Sequence, residues 1–278
     1  MYYYCNIVKK NRIDSIGYIN AGGRGTRLNG LFTPNPETGI AKALLEIGTP
    51  KVKLVDHHIV NFQQQNIERV VVAAGDQSEV YDYIHDVYND SEITVTRSQE
   101  QLGTGGDLMT YARESGVTDP IIIQNVDTIL DINLNQLISQ FAYQRQLGAQ
   151  ACIALTLNSG VPNEGAFLVD INDKVIHSME FNNASQEMAA KVVDYTKYRG
   201  SSTGAVMTQP DFLRRQSWRE QDGQLSLYSQ TLRQAWREDG LYSYNNGHRL
   251  FQDVGTVDAW RSAEDDIALQ ALLRYNNQ

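Results

Sequence analysis

Gly22-Gly23-Arg24-Gly25-Thr26-Arg27-Leu28 carries three glycines within four positions and sets two arginines among them. The stretch follows an apolar run, Ile16-Gly17-Tyr18-Ile19, that ends at Asn20-Ala21, so the glycines fall where a strand would turn into a loop. Backbone lacking Cβ atoms can approach a ligand closely and aim several N–H groups the same way. Guanidinium groups inside such a loop call for an anion. The chemistry expected of Ala21 through Arg27 is therefore a phosphate cradle. Two commoner phosphate motifs are excluded: the third glycine of a dinucleotide fingerprint would fall on Leu28, and no Gly-Lys-Ser or Gly-Lys-Thr of a P-loop occurs.

Four further segments follow in order: Ala41-Lys42-Ala43-Leu44-Leu45, Gln101-Leu102-Gly103-Thr104-Gly105-Gly106, Asn125-Val126-Asp127, and Gln252-Asp253-Val254-Gly255-Thr256. With the glycine loop they resemble the motif set of the sugar-phosphate nucleotidyltransferases, the NDP-sugar pyrophosphorylases. The matching family patterns are Pro-Lys-x-Leu-Leu, Leu-Gly-Thr-Ala-Gly, Gly-Asp and Asp-Ile-Gly-Thr. Each motif is weak alone; the ordered set spans almost the whole chain.

That resemblance implies a condensation of a nucleoside triphosphate with a sugar-1-phosphate, or a sugar-like heptose or cyclitol phosphate, by in-line attack on the α-phosphorus. Positioning and charge neutralisation carry most of such a reaction. It implies Mg2+ as cofactor, held by Asp127 and Asp253, since magnesium takes one or two protein carboxylates and fills its other positions with phosphate and water. Arg27, Lys42 and Asp127 become the catalytic candidates; a lone lysine such as Lys42 would otherwise read as a solvated side chain. Ala21, Gly22, Gly23, Arg24, Gly25 and Thr26 are expected on the phosphates. Gln101, Gly103 and Thr104, with Gln99 nearby, are expected on the base, where a glutamine amide can pair with the ring edge. Thr104 and Asp107 also resemble a capping box at a helix start, and the two readings are compatible.

On the sugar-phosphate side the resemblance implies Gly165, Glu180, Thr203 and Gly204. Met179-Glu180-Phe181-Asn182 stands where relatives have Glu-Lys-Pro, so the usual phosphate-gripping lysine is missing; Lys191, Lys197 or Arg199 is expected to replace it. Ala41 replaces a proline, Val126 replaces a glycine, and the interval from Leu28 to Lys42 is longer than usual. These departures point toward a less common acceptor.

The elements that must position these residues alternate. Apolar runs at Ile16–Ile19, Val70–Ala74, Ile93–Val95, Ile121–Ile123 and Ala151–Leu157 predict strands. Val52, Val55, Ile59 and Phe62, then Val80, Tyr83, Ile84 and Val87, then Leu134, Leu137, Ile138 and Phe141 recur at helical steps. The pattern predicts an α/β fold, a mainly parallel, Rossmann-like sheet with helices on both faces. Ligands in such sheets bind beyond the carboxyl ends of the strands, where the glycine loop and Asp127 fall. Gly165–Asp170 and Lys174–Met179 predict a hairpin and Gly200–Met207 a further strand, a β-rich sugar-binding subregion. The expected organisation is one domain, with a nucleotide half over about 13–157, a sugar-phosphate half over about 158–256 and a terminal helix over 257–274. His57 and His58 adjoin on a predicted helix over 51–66, a poor metal pair, and read as structural.

The chain has 278 residues and a formal charge of −9, which argues against a nucleic-acid partner. Cys5 and Cys152 are far apart and lack metal-ligand spacing, as in reduced cytoplasmic proteins. No run reaches the ~20 apolar residues of a membrane span, and Met1-Tyr2-Tyr3-Tyr4 does not begin a signal peptide. The family resemblance adds a homo-oligomer to the expected partners. Two other readings remain open: a cytidylyltransferase acting on a non-sugar alcohol phosphate, and a non-catalytic regulatory relative that binds nucleotide sugars.

Overall fold

The computed structural model describes residues 14–28, 41–49, 51–88, 92–157, 166–178, 196–219 and 223–266. Gly165, Glu180, Lys191 and the part of the terminal helix past residue 266 lie outside them.

Strands β1 (Ile16–Asn20), β2 (Glu46–Ile47), β3 (Val52–Lys53), β4 (Val70–Ala73), β5 (Ile93–Thr96), β6 (Ile121–Asn125) and β7 (Thr128–Leu130) form the first half. The second half supplies β8 (Ala151–Thr156), β9 (Ala166–Val169), β10 (Val175–Ser178), β11 (Tyr198–Thr208), β12 (Leu241–Asn245) and β13 (Phe251–Asp253). The helices are α1 (Leu54–Gln64), α2 (Ser78–Val87), α3 (Gly103–Glu114), α4 (Leu134–Gln146), α5 (Pro210–Arg215), α6 (Arg233–Arg237) and α7 (Val257–Asp265).

β5, β4, β1 and β6 lie side by side and parallel, as the strand–helix alternation predicts. β11 then runs antiparallel to β6 and, with its longer reach, also carries β8 and the β9–β10 hairpin. β12 closes that side, parallel to β8. The expected hairpin turns at Asp173, whose φ is +62°.

Neighbouring positions along the central strands face opposite layers, as a pleated strand requires. Ile19 and Ile122 belong to the core under α1 and α4 with Phe62, Leu137 and Phe141. Tyr18, Ile121 and Ile123 belong to the other core, under α3 and α5 with Leu108, Met109 and Phe212. Each fully buried leucine, isoleucine or phenylalanine contributes about 1.5–3 kcal/mol, so the sheet is fixed from both faces. The helices stop where the chain dictates. After α1, Asn66 takes φ +61° while its N–H bonds Gln63 O and that of Ile67 bonds Phe62 O, a paired closure that favours asparagine or glycine in the left-handed region. Asn133 opens α4 by accepting from Gln136 N, and Thr256 opens α7 by accepting from Ala259 N.

Candidate active site

Three connections leave the carboxyl ends of β1, β4 and β6 and meet the first turn of α3 around a pocket of about 370 Å³. Gly22 and Gly23 form its floor after β1, Gly75 and Asp76 follow β4, and Asp127 follows β6. The first two connections nearly touch. A Cβ on Gly22 would lie 2.9 Å from Gly75 Cα, so no larger residue fits without separating the strands' ends.

The acidic residues converge. β13 pairs antiparallel with β7, setting Asp253 opposite Thr128, and Val254 N donates to Asp127 O at 2.8 Å. A Cβ on Gly255 would stand 2.9 Å from Asp127 Oδ2 and 2.9 Å from Asp253 Oδ1, and 3.3 Å from an Arg27 terminal nitrogen. The two carboxylate oxygens are therefore separated by no more than twice that spacing, over a residue with no side chain. Lys42, only 7% exposed, donates from Nζ to Asp127 Oδ2 at 2.6 Å. The result is a compact set of two carboxylates and two cations beside the glycine loop. Hard oxygen donors over a cradle that a methyl group would fill fit a magnesium ion that also takes phosphate and water ligands. Among the described residues no group of three or more His, Cys, Asp or Glu side chains gathers as a metal site.

A model of the MobA-like NTP transferase domain matches residues 17–238. The chain belongs to that family. An NTP transferase of this kind is an enzyme that transfers nucleotidyl groups, in agreement with the resemblance carried by the five motifs. Among curated proteins no sequence matches it. Solved structures share its fold at low identity. The inositol-1-phosphate CTP transferase from T. maritima superposes with a TM-score of 0.69 at 12% identity, over 96% of this chain and 98% of that one. A Bacillus anthracis protein assigned as a glucose-1-phosphate thymidylyltransferase, in complex with a sucrose, gives 0.68 at 17%, over 92% and 95%. HddC from Yersinia pseudotuberculosis complexed with GMP-PN gives 0.62 at 17%, over 91% and 99%.

In this NTP transferase, Gly22, Gly23, Arg24, Arg27, Lys42, Gln101, Gly103, Thr104 and Asp127 line the pocket. Ala21 and Gly25 do not: both are buried, the Ala21 N–H is bonded to Ala73 O, and Gly25 O accepts from Leu28 N. Thr26 lies in the short turn Thr26–Leu28. Arg24 already has an anion, the carboxylate of Asp76. Burial alone would raise the Asp76 pKa, but hydrogen bonds from Arg24 and Gln77 and the Arg24 charge hold it below its ordinary value.

The expected capping box at Thr104 is absent. Leu102 is the N-cap and no side chain caps the helix. Thr104 Oγ1 instead accepts from Leu227 N at 3.1 Å, because the chain from Leu225 to Leu227 lies against α3. A Cβ on Gly103, at φ +77°, would lie 2.6 Å from Leu225 O, so that glycine admits the protein's own backbone. Gln101 accepts from Gln224 Nε2 at 3.1 Å.

The sugar-side candidates among the described residues scatter. Thr203 is fully buried and donates to Ala154 O, while Gly204 backs onto Thr128, next to Asp127. Lys197 is paired with Asp173 at the hairpin turn, and Arg199 lies exposed on β11 opposite Leu168; neither lines the pocket.

Sequence reasoning missed Asp76, Asp107, Gln224 and Tyr228, which also line the pocket. Asp76 had a signal, since it follows β4 as the glycine loop follows β1. Gln224 and Tyr228 had none, because only the fold brings their segment to α3. His57 and His58 are 0% and 1% exposed on the inner side of α1. Burial, with His58 adding to it, pushes the His57 pKa down to about 3. Burial also lowers that of His58, against the opposing pull of Val126 O and the Asp127 charge.

Proposed function

We propose that the protein joins a nucleoside monophosphate to a sugar-1-phosphate, or to a sugar-like heptose or cyclitol phosphate, giving an NDP-sugar and pyrophosphate. The observation carrying this reading is the meeting of Asp127, Asp253, Lys42 and Arg27 beside the glycine loop. The names of its structural neighbours support it, among them an inositol-1-phosphate CTP transferase and a protein assigned as a glucose-1-phosphate thymidylyltransferase.

In this reading the acceptor's phosphate oxygen attacks the α-phosphorus. A new phosphorus–oxygen bond forms as the bond to the β-phosphate's bridging oxygen breaks, and pyrophosphate leaves with the electron pair. Backbone N–H groups around Gly22 and Gly23 hold phosphate oxygens. Arg27 grips the triphosphate through its fork of donors, and Lys42 provides a compact charge kept in position by Asp127. Magnesium, when bound, neutralises charge across the phosphates, and Asp127 and Asp253 are the residues that would hold it. Gln101, Gly103 and Thr104 face the base. Glu180 and Gly165 stay assigned to the sugar, and the halves before and after residue 158 divide nucleotide and acceptor between them.

Pyrophosphate release measured with four nucleoside triphosphates, each with and without sugar and cyclitol phosphates, tests the reading. Release is expected with one base and one acceptor class. Asp127→Asn is expected to lose about 100-fold or more of that rate with an unchanged circular dichroism spectrum. No release with any pair would favour a regulatory protein that binds nucleotide sugars.

A further inference from the structure

Asp127 stands on the two-residue connection between β6 and β7, and separate elements hold its backbone. Val126 N donates to Asn20 O at 3.2 Å, from the end of β1, and Asp127 O accepts from Val254 N at 2.8 Å. The third hold is a side chain from α1: His58 Nε2 lies 3.3 Å from Val126 O, while its Nδ1 lies 2.9 Å from Gln124 Oε1. Both side chains are 1% exposed.

A buried neutral imidazole has one N–H, so it cannot donate to two oxygens. Among the described residues Gln124 Nε2 meanwhile has no acceptor. Turning the Gln124 amide over satisfies both contacts: Nε2 then donates to His58 Nδ1, and His58 Nε2–H donates to Val126 O. The glutamine thereby selects the tautomer, and the histidine spends its one proton on the peptide preceding Asp127. Filling the core would not call for a polar ring here, since α1 turns Val55, Ile59 and Phe62 into the same core, and burying an imidazole costs free energy unless it is bonded.

We propose that His58, oriented by Gln124, is a positioning residue for nucleotidyl transfer. It fixes the peptide on which Asp127 stands, and with it the spacing of the Asp127 and Asp253 carboxylates. The inference rests on those two residues being the acidic pair of the reaction.

Three variants test it. His58→Leu fills the volume without hydrogen bonds. His58→Asn has an amide that reaches only the Nδ1 position, toward Gln124. His58→Gln has an amide N–H at the Nε2 position, toward Val126. With Leu and Asn, kcat is expected to fall about 10- to 100-fold while the nucleotide KM stays within about twofold. Mn2+ binding beside a non-hydrolysable nucleotide, read by electron paramagnetic resonance, should weaken by a similar factor. Gln is expected to recover most of both. In crystals of the ligand-free Leu or Asn variant, the Asp127 carboxylate should have moved away from Gly255. Should Leu fail to fold, Asn against Gln carries the comparison.

An Asp127 carboxylate in its wild-type position, with kcat and Mn2+ binding unchanged, would overturn the inference. So would losses in kcat and KM that follow thermal stability alone, with Gln no better than Asn. A wild-type protein that releases no pyrophosphate from any pair would instead defeat the proposed function, and the crystallographic position of Asp127 would still decide the role of His58.

Discussion

At Gly255 a hydrogen atom occupies the place where any other residue would set a carbon 2.9 Å from one carboxylate oxygen of Asp127 and one of Asp253. The Gly255 N–H also donates to Asp253 Oδ1 at 2.7 Å, so this glycine both separates and orients the acidic pair. Gly255→Ala must push one carboxylate aside. A displacement of about 1 Å at a reacting centre costs on the order of 100-fold in rate, so kcat is expected to fall by about that factor with the fold intact. Steady-state kinetics beside a melting curve checks this, and an alanine variant with normal kcat would show that the carboxylate spacing does not matter. Lys42 and Arg24 add a second point at this scale. Lys42 is already matched to the carboxylate of Asp127 and Arg24 to that of Asp76. Sequence could nominate the cations but not their partners, because the partners arrive on other strands.

Helix α1 carries a histidine whose energetics differ from those of its neighbour. His57 is fully buried, and among the described residues neither ring nitrogen has a hydrogen-bond partner. Its pKa falls from 6.5 to about 3 on folding, chiefly through burial. Between those values the unfolded chain binds a proton at this ring and the native chain does not. Stability from this site is therefore complete above about pH 6.5 and is lost as pH falls toward 3, at a rate of up to about 1.4 kcal/mol per unit. His57→Leu is expected to flatten that slope and to raise stability near neutral pH by about 1 kcal/mol, since it removes buried, unbonded polar atoms. Denaturant melts from about pH 7.5 to about pH 4.5 read both effects, and a variant with the wild-type slope would refute the assignment to His57. At this scale the sequence was legible wherever periodicity carried the information. The runs at residues 16–19, 70–74 and 121–123 became β1, β4 and β6, and the hairpin turned between Asp170 and Lys174 as expected. The capping box at Thr104 was misread because its hydroxyl serves a segment more than a hundred positions downstream, which local pattern does not encode.

Across the whole molecule the pocket joins segments that share no local signal. The loops after β1, β4 and β6 are adjacent because the parallel strands are adjacent, and the rule that ligands sit beyond carboxyl ends locates them in advance. The remaining wall is different. Residues 224–228 reach α3 only after β11 and α5 have carried the chain around the second core, and hydrogen bonds fix them there. Leu225 N donates to Leu102 O at 2.8 Å, Gly105 N to Leu225 O at 2.8 Å and Leu227 N to Thr104 Oγ1 at 3.1 Å. Gln224 and Tyr228, which line the pocket, flank those anchors. Thr104→Val keeps the shape of the side chain and deletes one acceptor, a loss of about 1 kcal/mol of local stability. Because this wall lies on the α3 side rather than beside Asp127 and Asp253, the nucleotide KM is expected to rise about 3- to 10-fold with kcat retained. Hydrogen exchange at residues 225–227 should quicken in parallel. A fall in kcat at unchanged KM would mean that the segment acts on the reacting phosphates instead, and the division of the pocket into a base end and a phosphate end would have to be redrawn.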